Sequence, residues 1–226
     1  MAGGPERVRA RTARYYWAKV SNIAAHPDLL PHTPPQAVRD VEASEYTNAP
    51  AAARTMHVVC SDLFRAQQTA HAFADILGLD VHLDTRLRER GFGEWEGISV
   101  EELAGRFPED YLSWAQFRGG ELKYGAEPKQ EVGRRGVEAL NDWASKAGED
   151  TDLYVFSHGA WISQTLQTLL DLDQVHDDFA DILSMRNAHW VRLVPLELQG
   201  TLRWRLAEYN HGPAIAYTEQ WEHPRL

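Results

Sequence analysis

Apolar residues recur along this chain with two periods. Met56–Cys60, with its β-branched Val58 and Val59, predicts a strand, and the continuous apolar run Leu153–Phe156 predicts a buried one. Residues 63, 66, 70, 73, 74 and 77 fall on one face at helical spacing. They predict a helix that Ser61 or Asp62 caps and Gly78 closes. Asp80–Leu83 reads as the next strand, so this stretch predicts a parallel strand–helix–strand unit. Leu87–Gly97 is a glycine-rich loop, and Ser99 with Glu102 has the form of a capping box opening a further helix. Residues 99–125 then mix short helix and loop, with Trp114 and Phe117 as packing anchors, and Glu131–Lys146 is amphipathic. After a turn over Gly148–Asp152, the central run passes through Ser157-His158-Gly159 into a helix with apolar residues at 161, 162, 166, 169 and 170. Trp190–Pro195 and Leu202–Tyr209 predict two late strands joined through Gln199-Gly200. Before residue 56 the pattern is thin. Val8–Thr12 reads as a short strand and turn, Tyr15–Val20 as strand or helix, Pro27–Pro35 as a loop and Gln36–Ala43 as a short helix.

Composition narrows the class. A chain of 226 residues suffices for one domain with an inserted cap, and a net charge of −10 argues against nucleic acid or membrane as the main partner. A small anionic ligand stays open, because a few Arg and His residues can make one positive pocket. The single cysteine, Cys60, excludes an intrachain disulfide framework. No apolar run reaches membrane-spanning length, and Met1–Arg14 lacks the apolar core of a secretory signal, so the expected location is cytoplasmic. The ten histidines show no metal-ligand spacing, and no metal or cofactor is expected.

The candidate chemistry sits after two strands. Ser157-His158-Gly159 lies where a strand turns into a helix, the place where open α/β sheets bind ligands and where exposed N–H groups favour an anion. His158 there can donate to an anion or exchange a proton near neutral pH; equally, it is a histidine that merely ends a strand. Arg65, in the first turn of the helix after Cys60, offers a bidentate guanidinium to phosphate or carboxylate, or is a solvated surface residue. Glu89 in the glycine-rich loop is a candidate general acid or a loop ion pair, with Glu94 and Glu96 weaker candidates. A thiolate phosphatase loop needs one residue more between Cys60 and Arg65, and Cys60 ending a Val-rich strand reads as a small buried hydrophobe.

Taken together, several segments resemble the histidine phosphatase superfamily, the phosphoglycerate-mutase-like enzymes. These are Ser61-Asp62-Leu63-Phe64-Arg65-Ala66, Leu87-Arg88-Glu89 with Gly93-Glu94-Trp95-Glu96-Gly97, Gly125-Ala126-Glu127 with Arg135 downstream, Ser157-His158-Gly159, and Met185-Arg186-Asn187-Ala188. Their order and spacing agree from about residue 56 to 210. The resemblance implies an α/β fold, a mainly parallel sheet flanked by helices, in a single domain over 1–226 with a helical cap at about 99–130. It implies phosphoryl transfer through a phosphohistidine, without metal or cofactor, on a small phosphorylated metabolite, by a hydrolase or a mutase. In that scheme His158 supports the transferring phosphoryl group and Glu89 protonates the leaving oxygen. Arg9, Arg65 and Gly159 contact phosphate, and Ser157, Glu127 and Asn187 contact substrate or support the site. A homodimer is a further expectation.

The family opens with a strand ending in Arg-His-Gly, whose histidine is the nucleophile, and this chain has no such triplet. Val8-Arg9-Ala10-Arg11 is the nearest stretch, with Gln36-Ala37 matching a later Gln-Ala, which puts Ala10 in the nucleophile's place. Alanine forms no phosphoenzyme. His26 and His32, the only other early histidines, lie in a proline-rich stretch, and the nucleophile's role is carried over to neither. The alternatives are a catalytically inactive module that binds a phosphorylated ligand or protein partner, a changed or lost nucleophile, different chemistry with the same clamp, or a scaffold with no phosphate site.

Overall fold

The computed structural model describes 14–19, 55–147, 151–198 and 201–212, the first of these as backbone. Arg9, Ala10, His26, His32 and Gln36-Ala37, with the predicted elements on them, lie outside the described residues, as do 148–150 and the Gln199-Gly200 link.

The strands are β1 (Arg14–Lys19), β2 (Thr55–Cys60), β3 (Val81–Leu83), β4 (Thr151–Ser157), β5 (Trp190–Leu198) and β6 (Thr201–His211). They form one six-stranded sheet in the order β3-β2-β4-β1-β5-β6. β2 pairs in parallel with β3 and β4, and β1 in parallel with β4, Lys19 standing opposite Ser157. β5 and β6 complete the sheet antiparallel. The mainly parallel α/β expectation therefore holds. The Tyr15–Val20 ambiguity resolves to strand because β4 and β5 offer its backbone partners on both sides.

Side-chain alternation explains why β2 and β4 carry apolar residues at consecutive positions. Val58 and Cys60 with Tyr154 and Phe156 pack on one face against Ala66, Ala70, Phe73 and Ala74 of α1 (Phe64–Leu77). Val59 with Leu153 and Val155 packs on the other against α4 (Lys129–Ala147) and α5 (Gly159–Leu169). With helices over both faces, every residue of β4 is buried.

α1 begins differently from the expectation. Its N-cap is Leu63 and makes no side-chain cap bond. The Ser61 hydroxyl accepts the Leu63 N–H at 3.3 Å but is shared with His158, and the Asp62 carboxylate is taken by Arg88, so neither residue caps the helix proper. Gly78 closes α1 at φ 66°, a left-handed position that glycine adopts without strain. The capping box forms by half. Ser99 accepts the Glu102 N–H ahead of α2 (Val100–Arg106), while the Glu102 carboxylate turns to Arg106. α3 (Pro108–Ala115) starts on proline.

Around these short helices Trp95 is the buried centre, with ring centroids of Tyr124 at 5.1 Å, Phe107 at 6.0 Å and Trp114 at 6.1 Å. Trp114 anchors as expected. Phe117 does not: it is 50% exposed, in the left-handed reversal that ends α3 at φ 60°. Thr151 and Asp152, predicted as turn, already belong to β4.

Candidate active site

The parallel pairing of β2 and β4 brings their C-terminal turns together. The Ser61 N–H donates to the Phe156 carbonyl at 2.9 Å, and the Ser61 hydroxyl meets His158 Nε2 at 2.9 Å. His158 is 1% exposed and stands as the N-cap of α5. Its Nδ1 has no partner among the described residues. Burial first, then the charges of Arg65 and Arg135, push the imidazole down to about 3, against a small opposing effect of Asp62. Proton exchange by His158 near neutral pH is thus corrected: in this setting the ring is neutral. The neighbouring Ser157 hydroxyl is buried and donates to the Leu87 carbonyl at 2.7 Å, tying β4 to the loop that carries Glu89.

Glu89 reaches the same helix start. Its Oε1 accepts the N–H groups of Trp161 at 3.0 Å and Arg90 at 2.9 Å, and its Oε2 accepts that of Ala160 at 3.3 Å. The anion position at the N-terminus of α5, opened by Gly159, is therefore filled by the chain's own carboxylate.

Arg135 of α4 holds the loop. Its guanidinium donates to the carbonyls of Arg86 at 2.6 Å, Arg88 at 2.8 Å and Glu89 at 3.2 Å, and bidentately to Glu127 at 2.8 and 3.0 Å. Burial raises Glu127, but the Arg135 hydrogen bonds outweigh it and hold the carboxyl below the ordinary range. Glu127 in turn accepts the Gly91 N–H, so it supports the loop.

Arg65 lies half-buried in the first turn of α1, and its guanidinium has no partner among the described residues. It is near enough to bear on His158. Asn187 is exposed in the turn before β5, its carbonyl bonded to His189 Nδ1 at 2.9 Å. Cys60 is fully buried, and its thiol is pushed up to about 12 by burial and then by Asp62, which removes the thiolate reading. No group of three or more metal-ligating side chains occurs among the described residues, and none of their helices is long and apolar enough to cross a membrane.

Sequence reasoning missed Ser61 as the partner of His158. The available signal was the parallel βαβ unit, which sets the turns after adjacent strands side by side. It also missed the ion pairs Arg88–Asp62 and Arg90–Glu121.

The family model described as "Histidine phosphatase superfamily (branch 1)" matches residues 41–210. The chain belongs to the histidine phosphatase superfamily and is a histidine-type phosphatase. The match begins after β1, and neither Arg9 nor Gln36-Ala37 falls inside it. The chain is 31% identical over 173 residues to a glucosyl-3-phosphoglycerate phosphatase of Mycolicibacterium vanbaalenii, covering 70% of this chain and 75% of that protein. It is 29% identical over 196 residues to the Mycobacterium tuberculosis protein of the same name, covering 78% and 86%. A mycobacterial glucosyl-3-phosphoglycerate phosphatase solved with VO3 has the same fold, with a TM-score of 0.66 and 23% identity over 90% of this chain and 100% of that one. These relatives give no support to the inactive-module alternative.

Proposed function

We propose that this phosphatase hydrolyses a small phosphorylated sugar derivative, without a metal, through a phosphohistidine. The observation that supports it is the meeting of His158, Arg65 and Glu89 around the turns after β2 and β4. In this reading Arg65, Gly159 and Arg9 contact the phosphate. Ser157, Glu127 and Asn187 support the site or meet substrate, and 99–130 is the cap of a single domain over 1–226. Attack by an imidazole nitrogen breaks the ester P–O bond, and protonated Glu89 gives its proton to the leaving alkoxide. Water then breaks the N–P bond while the Glu89 carboxylate takes the water's proton. Glu89 must leave the helix N–H groups to do this. β1, Arg14–Lys19, contains no histidine, so the attacking ring is a different residue of the chain.

The test is hydrolysis of p-nitrophenyl phosphate and of glucosyl-3-phosphoglycerate in EDTA, with protein of verified mass. Turnover is expected to persist in EDTA and to fall by about 10²-fold or more in His158→Ala. Glu89→Gln is expected to impair the sugar ester more than the nitrophenyl ester, whose leaving group needs no proton. Mapping the acid-labile phosphate by peptide mass identifies the attacking ring. No turnover of either substrate by the intact wild type sinks the proposal.

A further inference from the structure

A second cleft, of about 260 Å³, opens where residues 117–122 meet the start of α4 and the 177–178 turn. Arg90 reaches it from the Glu89 loop, while its other wall lies at the start of α4. Gly133 and Gly136 of α4 face Thr168 and Thr165 of α5, so the two helices run antiparallel. The start of α4 therefore lies beyond the C-terminal end of α5, whose 11 residues span about 15 Å from Gly159.

The lining has a definite chemistry. Arg118 is exposed and its guanidinium has no partner among the described residues. Lys129 is half-buried and holds its ammonium 4.8 Å from the Phe117 ring centroid, with the Asp178 carbonyl as acceptor. Phe117 and Leu122 give an apolar wall. Glu121 is 1% exposed: Arg90 holds its Oε1 at 2.7 Å, and its Oε2 is buried without a partner. A buried carboxylate oxygen with no donor costs stability unless something supplies one. Burial and the charge of Arg90 hold Lys129 below its ordinary value, a strain that an arriving anion relieves.

We infer that this cleft is a second binding site, for a small hydroxylated organic acid. Its carboxylate pairs with Arg118 and Lys129, its hydroxyls donate to Asp177, and its C–H face lies on Phe117. The volume falls below the ~300–1,000 Å³ of drug-sized pockets, which restricts the ligand to a compact molecule. The site communicates with the loop that carries Glu89, because Arg90 follows Glu89 directly and its Nε donates to the Glu127 carbonyl at 2.6 Å.

The test is calorimetric titration of the full chain with D-gluconate, beside sorbitol, which lacks the carboxylate, and hexanoate, which lacks the hydroxyls. Saturable gluconate binding is expected, at least about tenfold tighter than either control. Arg118→Ala is expected to weaken it by about tenfold or more while leaving orthovanadate affinity and the unliganded Tm unchanged. Phe117→Ala, at an exposed position, serves as a second variant and is expected to weaken gluconate alone. Absence of saturable binding, equal binding by Arg118→Ala, or displacement of gluconate by orthovanadate overturns the inference. The last outcome would place the probe in the catalytic site instead. None of these readings depends on turnover, so failure here leaves the phosphatase proposal standing.

Discussion

At the scale of single residues, burial with the charges of Arg65 and Arg135 holds His158 at about 3, well below the ordinary 6.5. The unfolded chain binds a proton at this ring below about pH 6.5, whereas the folded chain refuses it until about pH 3. The stability contributed by the neutral ring is therefore present above pH 6.5 and lost as the pH falls towards 3. Denaturant melts should show a His158 contribution to the slope approaching 1.4 kcal/mol per pH unit between those limits. His158→Gln should flatten the profile; an unchanged slope in that variant would contradict the buried neutral ring. His158 and Glu89 were legible from sequence because each lies in a short contiguous motif. Ser61 was read as a cap, since its hydroxyl is claimed by a residue distant in the chain that only the sheet brings near. Phe117 was misplaced for a related reason: an aromatic beside α3 does not reveal which way the chain turns after the helix.

Among the elements, the contact of α4 with α5 sets where Arg135 meets the loop that carries Glu89. A Cβ at Gly136 would collide with the Thr165 side chain, and one at Gly133 with Thr168, so the glycines let the helices approach closely. Arg135 lies beside Gly136 and hydrogen-bonds loop carbonyls from Arg86 to Glu89. Gly136→Ala should cost about 1–3 kcal/mol through overpacking, lowering Tm. It should also lower kcat, by displacing Arg135; a Tm loss with kcat intact would show that the loop does not rely on this contact. The helices and the late strands were legible from their apolar periods. The close approach was not, because a glycine in an amphipathic pattern looks like a weak helix position until its neighbour is known.

The molecule as a whole was legible where apolar runs are long. β2, β4 and α1 follow from buried faces alone. β1 did not, because its identity as strand depends on β4 and β5, which come much later in the chain. One consequence of the Glu89 arrangement belongs to this scale. The Ala160 and Trp161 N–H groups at the start of α5 are satisfied by Glu89. Glu89 acts there as a tethered competitor, present at the high effective concentration of any group on the same chain. Free inorganic anions must outbid it, and a phosphate ester that gains contacts elsewhere can. Inorganic phosphate should therefore raise Tm more in Glu89→Ala than in the wild type, relative to each unliganded protein. Equal shifts would mean the two do not compete. A larger shift in Glu89→Ala would give this carboxylate a second part, that of a stopper against small anions.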